Sequence, residues 1–521
     1  MRKCFAAASL IFFFWSANGQ RHNWQNLDLQ KDSLFGISTE KAYNTLLKGK
    51  VPQKVIVAVI DGGIDIDHPD LKDHIWTNPT EIAGNGIDDD HNGYVDDLQG
   101  WNFLGLEKGE DDVTALAKQQ KDFYDSLSMG SIPAIYRAGY QKHKEIADIY
   151  YGHVQNLRSL ITNLENNREV LDSILHKIGK PNPGLEDFLH YKPTSEYEQT
   201  VLERIKIDLP GYKDFLSYRK YELDTLVIKA RYHLTHGLNP ALNDEEAGDK
   251  VEGNGNVHND VVGLVSAVNN TGQHGTHVAG IIVGQRDNGV GPDGIADNAE
   301  IMVLKTNGNI RELKDETLAR AIRYAADNGA KIINISLGKY YTWNKPLVDQ
   351  QVKYAMHKGV LIVTAAMNNG RNTEKDTVYP NRLYTDGETA KAWIVVGASG
   401  PSDDITLAAP FSNYGRTTVD VFAPGVSIYS TLPGNTYASW DGTSMAAPVV
   451  SGLAALIWGY YPRLTAEQVK EIILRSVVKV THDVTIKDSD GNYRNVPFSS
   501  ICVSGGIVNA YNALQLAATY K

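Results

Sequence analysis

Apolar residues along this chain are bunched into short runs. The first clear one, residues 55–60, is continuous, rich in β-branched side chains and stopped by Asp61. An unbroken run of this kind predicts a strand buried on both faces of a parallel sheet. Similar runs recur at residues 301–304, 331–335, 360–363 and 394–396. Between them the period changes. Residues 316–328 carry Leu318, Ala321, Ile322 and Ala325 at helical spacing, and residues 348–357 read as a second helix. Strand and helix in alternation predict an α/β domain with a parallel sheet.

Residues 106–250 follow another pattern, long, polar and helical, with Ile146, Ile149, Tyr150, Leu157, Leu160, Ile161 and Leu164 along one stripe. Breaks at Pro181-Asn182-Pro183-Gly184 and Leu209-Pro210-Gly211 divide the region into three or four helices. It reads as a helical subdomain inserted into the α/β domain. A chain of 521 residues also exceeds the roughly 250–300 at which a single core stops growing, so more than one unit is required. There is no tandem repeat and no low-complexity segment.

The amino terminus changes the picture of where the chain works. Met1-Arg2-Lys3, an apolar run over residues 5–15 and then Ala17-Asn18-Gly19 have the three regions of a secretory leader, with cleavage after Gly19. The apolar run is shorter than the ~20 residues that span a bilayer, so residues 1–19 predict export, secreted or periplasmic, and not a membrane span. Removing Arg2 and Lys3 with the leader leaves 49 basic side chains against 62 acidic ones, a formal charge of −13. A chain so acidic is a poor partner for nucleic acid. Of the two cysteines, Cys4 goes with the leader and Cys502 is left alone, so the exported form has no internal disulfide. Residues 20–50 stand as an N-terminal segment between leader and first strand.

Three stretches carry candidate chemistry. Gly442-Thr443-Ser444-Met445-Ala446-Ala447-Pro448 sets a serine at the start of an apolar, small-residue helix, where free backbone N–H groups and the helix dipole favour a developing oxyanion. Taken alone, Ser444 is equally well read as a helix N-cap. A hydroxyl becomes a nucleophile when a neighbouring base takes its proton, and His274-Gly275-Thr276-His277-Val278-Ala279-Gly280 supplies a histidine. A zinc pair of His274 and His277 is the competing reading, which lacks an intervening glutamate and a third ligand. Asp61, followed by Gly62-Gly63 at the end of its strand, stands where acids often sit on the carboxyl edge of a parallel sheet.

Together these stretches resemble the subtilase family of subtilisin-like serine peptidases. Val57-Ala58-Val59-Ile60-Asp61-Gly62-Gly63-Ile64, with His68-Pro69-Asp70-Leu71 after it, is similar to the family's aspartate motif, and the other two stretches match its histidine and serine motifs. The order Asp, His, Ser is that of subtilisin. The resemblance covers about residues 51–105 and 251–515. It implies a three-layer α/β domain with a central, mostly parallel sheet over residues 51–105 and 251–521, interrupted by the helical insertion of residues 106–250. It also implies a secreted serine endopeptidase acting on protein or peptide substrates, with Asp61, His274 and Ser444 as its triad. The oxyanion-hole asparagine carries over to Asn368 in Ala365-Ala366-Met367-Asn368-Asn369-Gly370, with Asn369 the weaker candidate. There the chain departs from the family, which has glycine where Met367 adds bulk beside the P1 pocket and restricts the backbone. The substrate-binding strand carries over to Ser336, Leu337 and Gly338, whose free edge pairs with an extended peptide. Residues 20–50 are too short for the usual propeptide. The rivals are a catalytically silent peptide-binding protein on the same fold and a metallohydrolase using His274 and His277. Both ends of the insertion lead to or from segments bearing candidate catalytic residues, which makes it a candidate cover for the site.

Residues 88–96, Asp-Asp-Asp-His-Asn-Gly-Tyr-Val-Asp, reproduce the first nine positions of a calcium loop. Asp88, Asp90, Asn92 and Asp96 are its candidate ligands and Gly93 its turn, while Gln99 stands where a bidentate glutamate is usual. Since subtilases commonly bind calcium in surface loops, a structural calcium is expected here.

Overall fold

The structure, a computed structural model, describes residues 22–103, 111–119, 121–127, 132–209, 214–239, 270–307, 313–487 and 491–520. The leader and residues 240–269 therefore lie outside it, as do both ends of the insertion.

The apolar runs form the sheet. Its strands are β1 (Val55–Asp61), β2 (Gly100–Asn102), β3 (Ala299–Lys305), β4 (Ile332–Ile335), β5 (Leu361–Ala365), β6 (Trp393–Ser399) and β7 (Val421–Pro424). A hairpin of β8 (Ile428–Leu432) and β9 (Thr436–Trp440) follows, then β10 (Val478–Lys479), a second hairpin of β11 (Asp483–Lys487) and β12 (Tyr493–Pro497), and β13 (Gly506–Ile507). Nine strands share one sheet in the order β10-β13-β7-β6-β5-β4-β1-β3-β2. Every pairing in it is parallel except that of β10 with β13. Because side chains alternate along a strand, the continuous runs serve two cores. Val55, Val57 and Val59 join one and Ala58 and Ile60 the other, and β3 repeats this with Ile301 and Val303 against Met302 and Leu304. The Asn270–Val283 and Thr443–Tyr460 helices cover the first face, and Asp315–Asp327 and Lys345–His357 the second. The result is three layers, as the resemblance implies. Thr443–Tyr460 is long and apolar enough to cross a membrane, but 89% of it is buried within this structure, which makes it a core helix.

The strand order places the site. From β1 the sheet grows through β3 and β2 to one side and through β4, β5, β6 and β7 to the other. A doubly wound sheet leaves a crevice outside its carboxyl ends where the order reverses. The ends of β1, β4 and β5 lie there.

The N-terminal segment is not a separate piece. Trp24 is 0% exposed and its indole Nε1 donates to the Val426 carbonyl at 3.1 Å. Ile37, Ala42 and Leu47 join the same core as β1, and Arg286 pairs with Glu40 beneath the Tyr43 ring. In the insertion, the break at residues 181–184 falls between a helix of 42 residues, Arg137–Ile178, and the short helix Leu185–His190. Of the long helix's apolar stripe, Ile146, Leu157, Ile161 and Leu164 are buried and Ile149, Tyr150 and Leu160 half-buried. Shorter helices, Leu185–His190, Glu196–Asp208, Phe215–Arg219 and Leu226–Thr235, pack along it. One cluster, with Leu171, Ile174, Phe188, Leu202 and Phe215, belongs to the insertion alone. A second, with Val113, Ile146, Ile161 and Ala230, includes Tyr341 of the α/β domain.

The N-terminal packing gives a direct expectation. Trp24→Ala removes a fully buried indole and its hydrogen bond, and costs about 3–5 kcal/mol of stability. Denaturant unfolding followed by circular dichroism measures this, and an unchanged midpoint would make the segment a dispensable strap.

Candidate active site

Asp61 ends β1 and is 1% exposed. One of its carboxylate oxygens accepts the Gly62 N–H at 2.7 Å, and both lie within 2.9 Å of His274 Nδ1. His274 stands in the first turns of Asn270–Val283. The helix comes this close because position 275 is glycine, where a Cβ would lie 2.2 Å from the Gly63 carbonyl oxygen and 3.3 Å from Asp61 Cβ. The imidazole is 29% exposed. Its burial disfavours the charged ring, but the charge and hydrogen bond of Asp61 outweigh that and hold the His274 pKa above the ordinary value.

Ser444 is the second residue of Thr443–Tyr460. Its hydroxyl donates to the Ser336 carbonyl at 3.0 Å, and the Ser336 hydroxyl returns a bond of 2.9 Å to the Ser444 carbonyl. Behind this pair Asn334 donates to Ser336 Oγ at 3.0 Å and accepts from Ser451 at 2.8 Å, both residues being fully buried. Asn368 is held by its neighbour Thr443, whose N–H and hydroxyl both donate to Asn368 Oδ1 at 2.9 Å. The amide nitrogen is thereby turned the other way. A carbon placed on Gly442 would lie 3.5 Å from both Asn368 Nδ2 and Ser444 N, so the two nitrogens stand close to each other. Asn369 is occupied elsewhere, accepting from the Tyr340 hydroxyl at 2.8 Å. His274, Asn368 and Ser444 line one cavity of about 510 Å³ with Ser427, Ser439, Trp440, Asp441 and Met445.

Met367 adopts φ of 79°, a left-handed backbone that suits glycine. Its N–H donates to Thr443 Oγ1 at 3.1 Å and its carbonyl accepts the Asn413 N–H at 2.9 Å. Its sulfur lies against Gly338, where a Cβ would stand 2.8 Å away. Ser336, Leu337 and Gly338 run on directly from the carboxyl end of β4.

His277 does not form a metal pair with His274. Its Nε2 is bonded to the Ala438 carbonyl at 3.1 Å, its ring is stacked on Trp440, and burial pushes its pKa down to about 3. The acidic loop also groups differently from its spacing. Asp88 accepts the N–H groups of Asn92 and Gly93, Asp96 that of Gly86, and Asn92 turns its amide nitrogen to Asp90 and Asp97. The carboxylates that converge, with oxygens within 4.8 Å of one another, are Glu81, Asp90 and Asp97. Of the three aspartates taken from the loop template only Asp90 belongs to this group, and Asn92 borders it through Asp90 and Asp97. Glu81 and Asp97 come in because the chain folds back on itself, which spacing does not reveal. Ser451 and Trp440 likewise lie outside the motifs, and only their crossings in space connect them to the site.

The chain thus has a three-layer α/β fold with an aspartate-paired histidine and a helix-borne serine at the carboxyl edge of its mostly parallel sheet. The chain belongs to the subtilase family, whose model matches residues 52–496. It is similar to a thermophilic serine proteinase of Bacillus sp. (strain AK1), 37% identical over 46% of this chain and 52% of that one. Thermitase of Thermoactinomyces vulgaris is 39% identical over 40% of this chain and 68% of its own length. Subtilisin DY of Bacillus licheniformis is 39% identical over 38% and 67%. The chain thus spans about half the length of the first of these relatives.

The opposed forces on His274 predict how it titrates. In the intact protein it protonates above pH 6.5, the ordinary histidine value. In Asp61→Asn the lowering by burial is left unopposed, and the pKa falls below that value. The raised pKa stabilises the fold below about pH 6.5, and this contribution is lost as pH rises through the folded-state value. Ring-proton NMR titration of both proteins checks this, and equal pKa values would mean that Asp61 does not govern the ring.

Proposed function

We propose that this chain is an exported serine endopeptidase that hydrolyses peptide bonds of protein or peptide substrates through an acyl-enzyme. Ser444 Oγ attacks the carbonyl carbon after its proton turns from the Ser336 carbonyl to His274 Nε2. Asp61 holds Nδ1–H, which leaves Nε2 as the base, and it stabilises the imidazolium that forms. Asn368 Nδ2 and the Ser444 N–H receive the developing oxyanion. His274 then returns the proton to the leaving amine, and water releases the acyl group by the same steps. Ser336, Leu337 and Gly338 offer the edge along which an extended peptide pairs. The observation that carries this reading is the meeting at one cavity of a serine, an aspartate-held histidine and an asparagine amide turned inward by Thr443. The leader supports export. The insertion docks beside Gly338, which supports its reading as a cover.

The reading includes a structural calcium. Glu81, Asp90 and Asp97 supply hard carboxylate oxygens, the donors that calcium takes. Burial raises the Asp97 pKa, and nearby Asp96 Oδ1 is shielded from solvent without a hydrogen-bond partner. Gathered acids of this kind fit a cation that would offset their repulsion. Glu81 would take the part of the missing glutamate at Gln99. Such an ion holds the loop and takes no step in the chemistry.

Two predictions follow from these assignments. A fluorophosphonate labels Ser444 in the intact protein and not in Ser444→Ala, and Asn368→Ala lowers kcat by roughly 10²–10³ with KM little changed, because its bond forms mainly in the transition state. Asn369→Ala has a much smaller effect. Peptide binding without turnover or labelling would instead give the silent peptide-binding protein. Calcium added after thorough chelation raises Tm, by about 2.7 kcal/mol of stability at a hundredfold excess over Kd. Glu81→Gln and Asp97→Asn remove most of that response in scanning calorimetry, and a full response in both would move the ion elsewhere.

A further inference from the structure

Next to the substrate-facing edge lies a buried ionic junction with the insertion. Lys339 follows Gly338, and its backbone exchanges hydrogen bonds of 2.9 and 2.8 Å with Tyr379. Its side chain is only 6% exposed, and the ammonium pairs with Asp112 and, at 2.9 Å, with Asp315. Both carboxylates are buried, 10% and 3% exposed. Asp112 opens Asp112–Gln119 of the insertion and Asp315 opens Asp315–Asp327 of the α/β domain, so each carboxylate sits where the helix dipole favours it. Asp112 also accepts the Asp315 N–H at 2.9 Å. Asp315 accepts the N–H groups of Trp343 and Asn344, each at 2.7 Å, which ties down the turn that follows Lys339.

Charge balance does not explain this arrangement. One buried ammonium needs one carboxylate, and Asp315 provides it from the same domain. Asp112 is the second carboxylate and comes from the insertion, so what it adds is a link between the two units. Apolar contact runs alongside, since Tyr341, 4% exposed, sits in the insertion's second cluster. A cavity of about 380 Å³ opens between Leu116, Tyr124 and His143 of the insertion and Tyr341 and Tyr379 of the α/β domain. An extended peptide advances about 3.3 Å per residue. One pairing along residues 336–338 therefore reaches Lys339 and this wall within a few residues of the bond to be cut.

We propose that Asp112 and Lys339 are positioning residues: through their buried ion pair the insertion sets where Leu337 and Gly338 lie, and so controls the binding of extended substrates. No described residue of the insertion lines the Ser444 cavity, so the control acts through the edge segment and not on the reacting atoms. The substrate part of this inference rests on the endopeptidase reading.

The test uses the full chain with Asp112→Asn, which leaves Lys339 and Asp315 as a balanced pair. For an oligopeptide that extends several residues on each side of the cleaved bond, KM rises roughly tenfold, the effect of losing one charge-assisted hydrogen bond. The kcat on that peptide and the hydrolysis of a small activated ester, which cannot pair along the edge, stay within about twofold of the intact enzyme. Asp112→Glu, which keeps the charge, restores most of the affinity. Amide exchange at Leu337, Gly338 and Lys339 quickens in Asp112→Asn while Thr443–Tyr460 stays protected. Unchanged KM and unchanged exchange would overturn the proposal, as would a parallel fall of peptide and ester hydrolysis with faster exchange throughout the domain. Should the intact chain cleave neither substrate, the endopeptidase reading fails by itself, and exchange alone still decides the coupling. If Asp112→Asn yields no folded protein, Asp112→Ser, which also removes the charge from a helix start that serine suits, carries the same comparison.

Discussion

The site depends on one close crossing, that of the Asn270–Val283 helix over the end of β1. A helix can come this near a strand only where no Cβ stands between them, and Gly275 opposite the Gly63 carbonyl meets that condition. The crossing puts an imidazole against a buried carboxylate, and the outcome is a contest between desolvation and charge. Asp61 wins it for His274, whereas His277, one turn further along the same helix and without a carboxylate, is driven neutral. Two histidines three residues apart thus acquire opposite characters. The difference lies in what the sheet presents to each.

The serine is fixed by a second set of constraints. Its helix is held to β4 by a buried polar relay, Ser451 to Asn334 to Ser336, and Ser336 exchanges bonds with Ser444 itself. Such a network is stable only when every member finds its partner, which also makes it specific about register. The third constraint is Met367. A left-handed conformation in a residue with a side chain costs on the order of 1–3 kcal/mol and persists only where its surroundings impose it. Here they do, since both its N–H and its carbonyl are bonded, the first to the same Thr443 that orients Asn368. One threonine thus serves the strained residue and the amide beside it.

What could be read from the chain beforehand divides along the same lines. Asp61 was legible because it ends a run of apolar residues, and Ser444 because small residues crowd behind it; these are signals carried within ten residues. The face alternation of β1 and β3 needed no more than the period of a strand. Trp24 and Ile37 were not legible as core, since isolated apolar residues in a short segment show no period. Glu81 and Asp97 were missed for a related reason. A loop template ranks ligands by spacing, and Glu81 and Asp97 stand outside its positions, brought to Asp90 only by the way the chain folds back.

The insertion shows how an addition to a fold can matter without reaching the chemistry. Much of its apolar surface is satisfied internally, by the cluster around Phe188 and Phe215, so it does not depend on the α/β domain for all its packing. Among the described residues its attachment is correspondingly small, Tyr341 among its aliphatic side chains and Asp112 on Lys339 and the Asp315 N–H. A small junction transmits little unless it is stiff, and a buried ion pair is stiff because any separation leaves charge unpaired at low dielectric. Lys339 is the residue after Gly338, so what it holds is the end of the edge along which a peptide would lie. Stiffness at that point, and not the extent of the contact, is what lets a remote helical module act on the sheet.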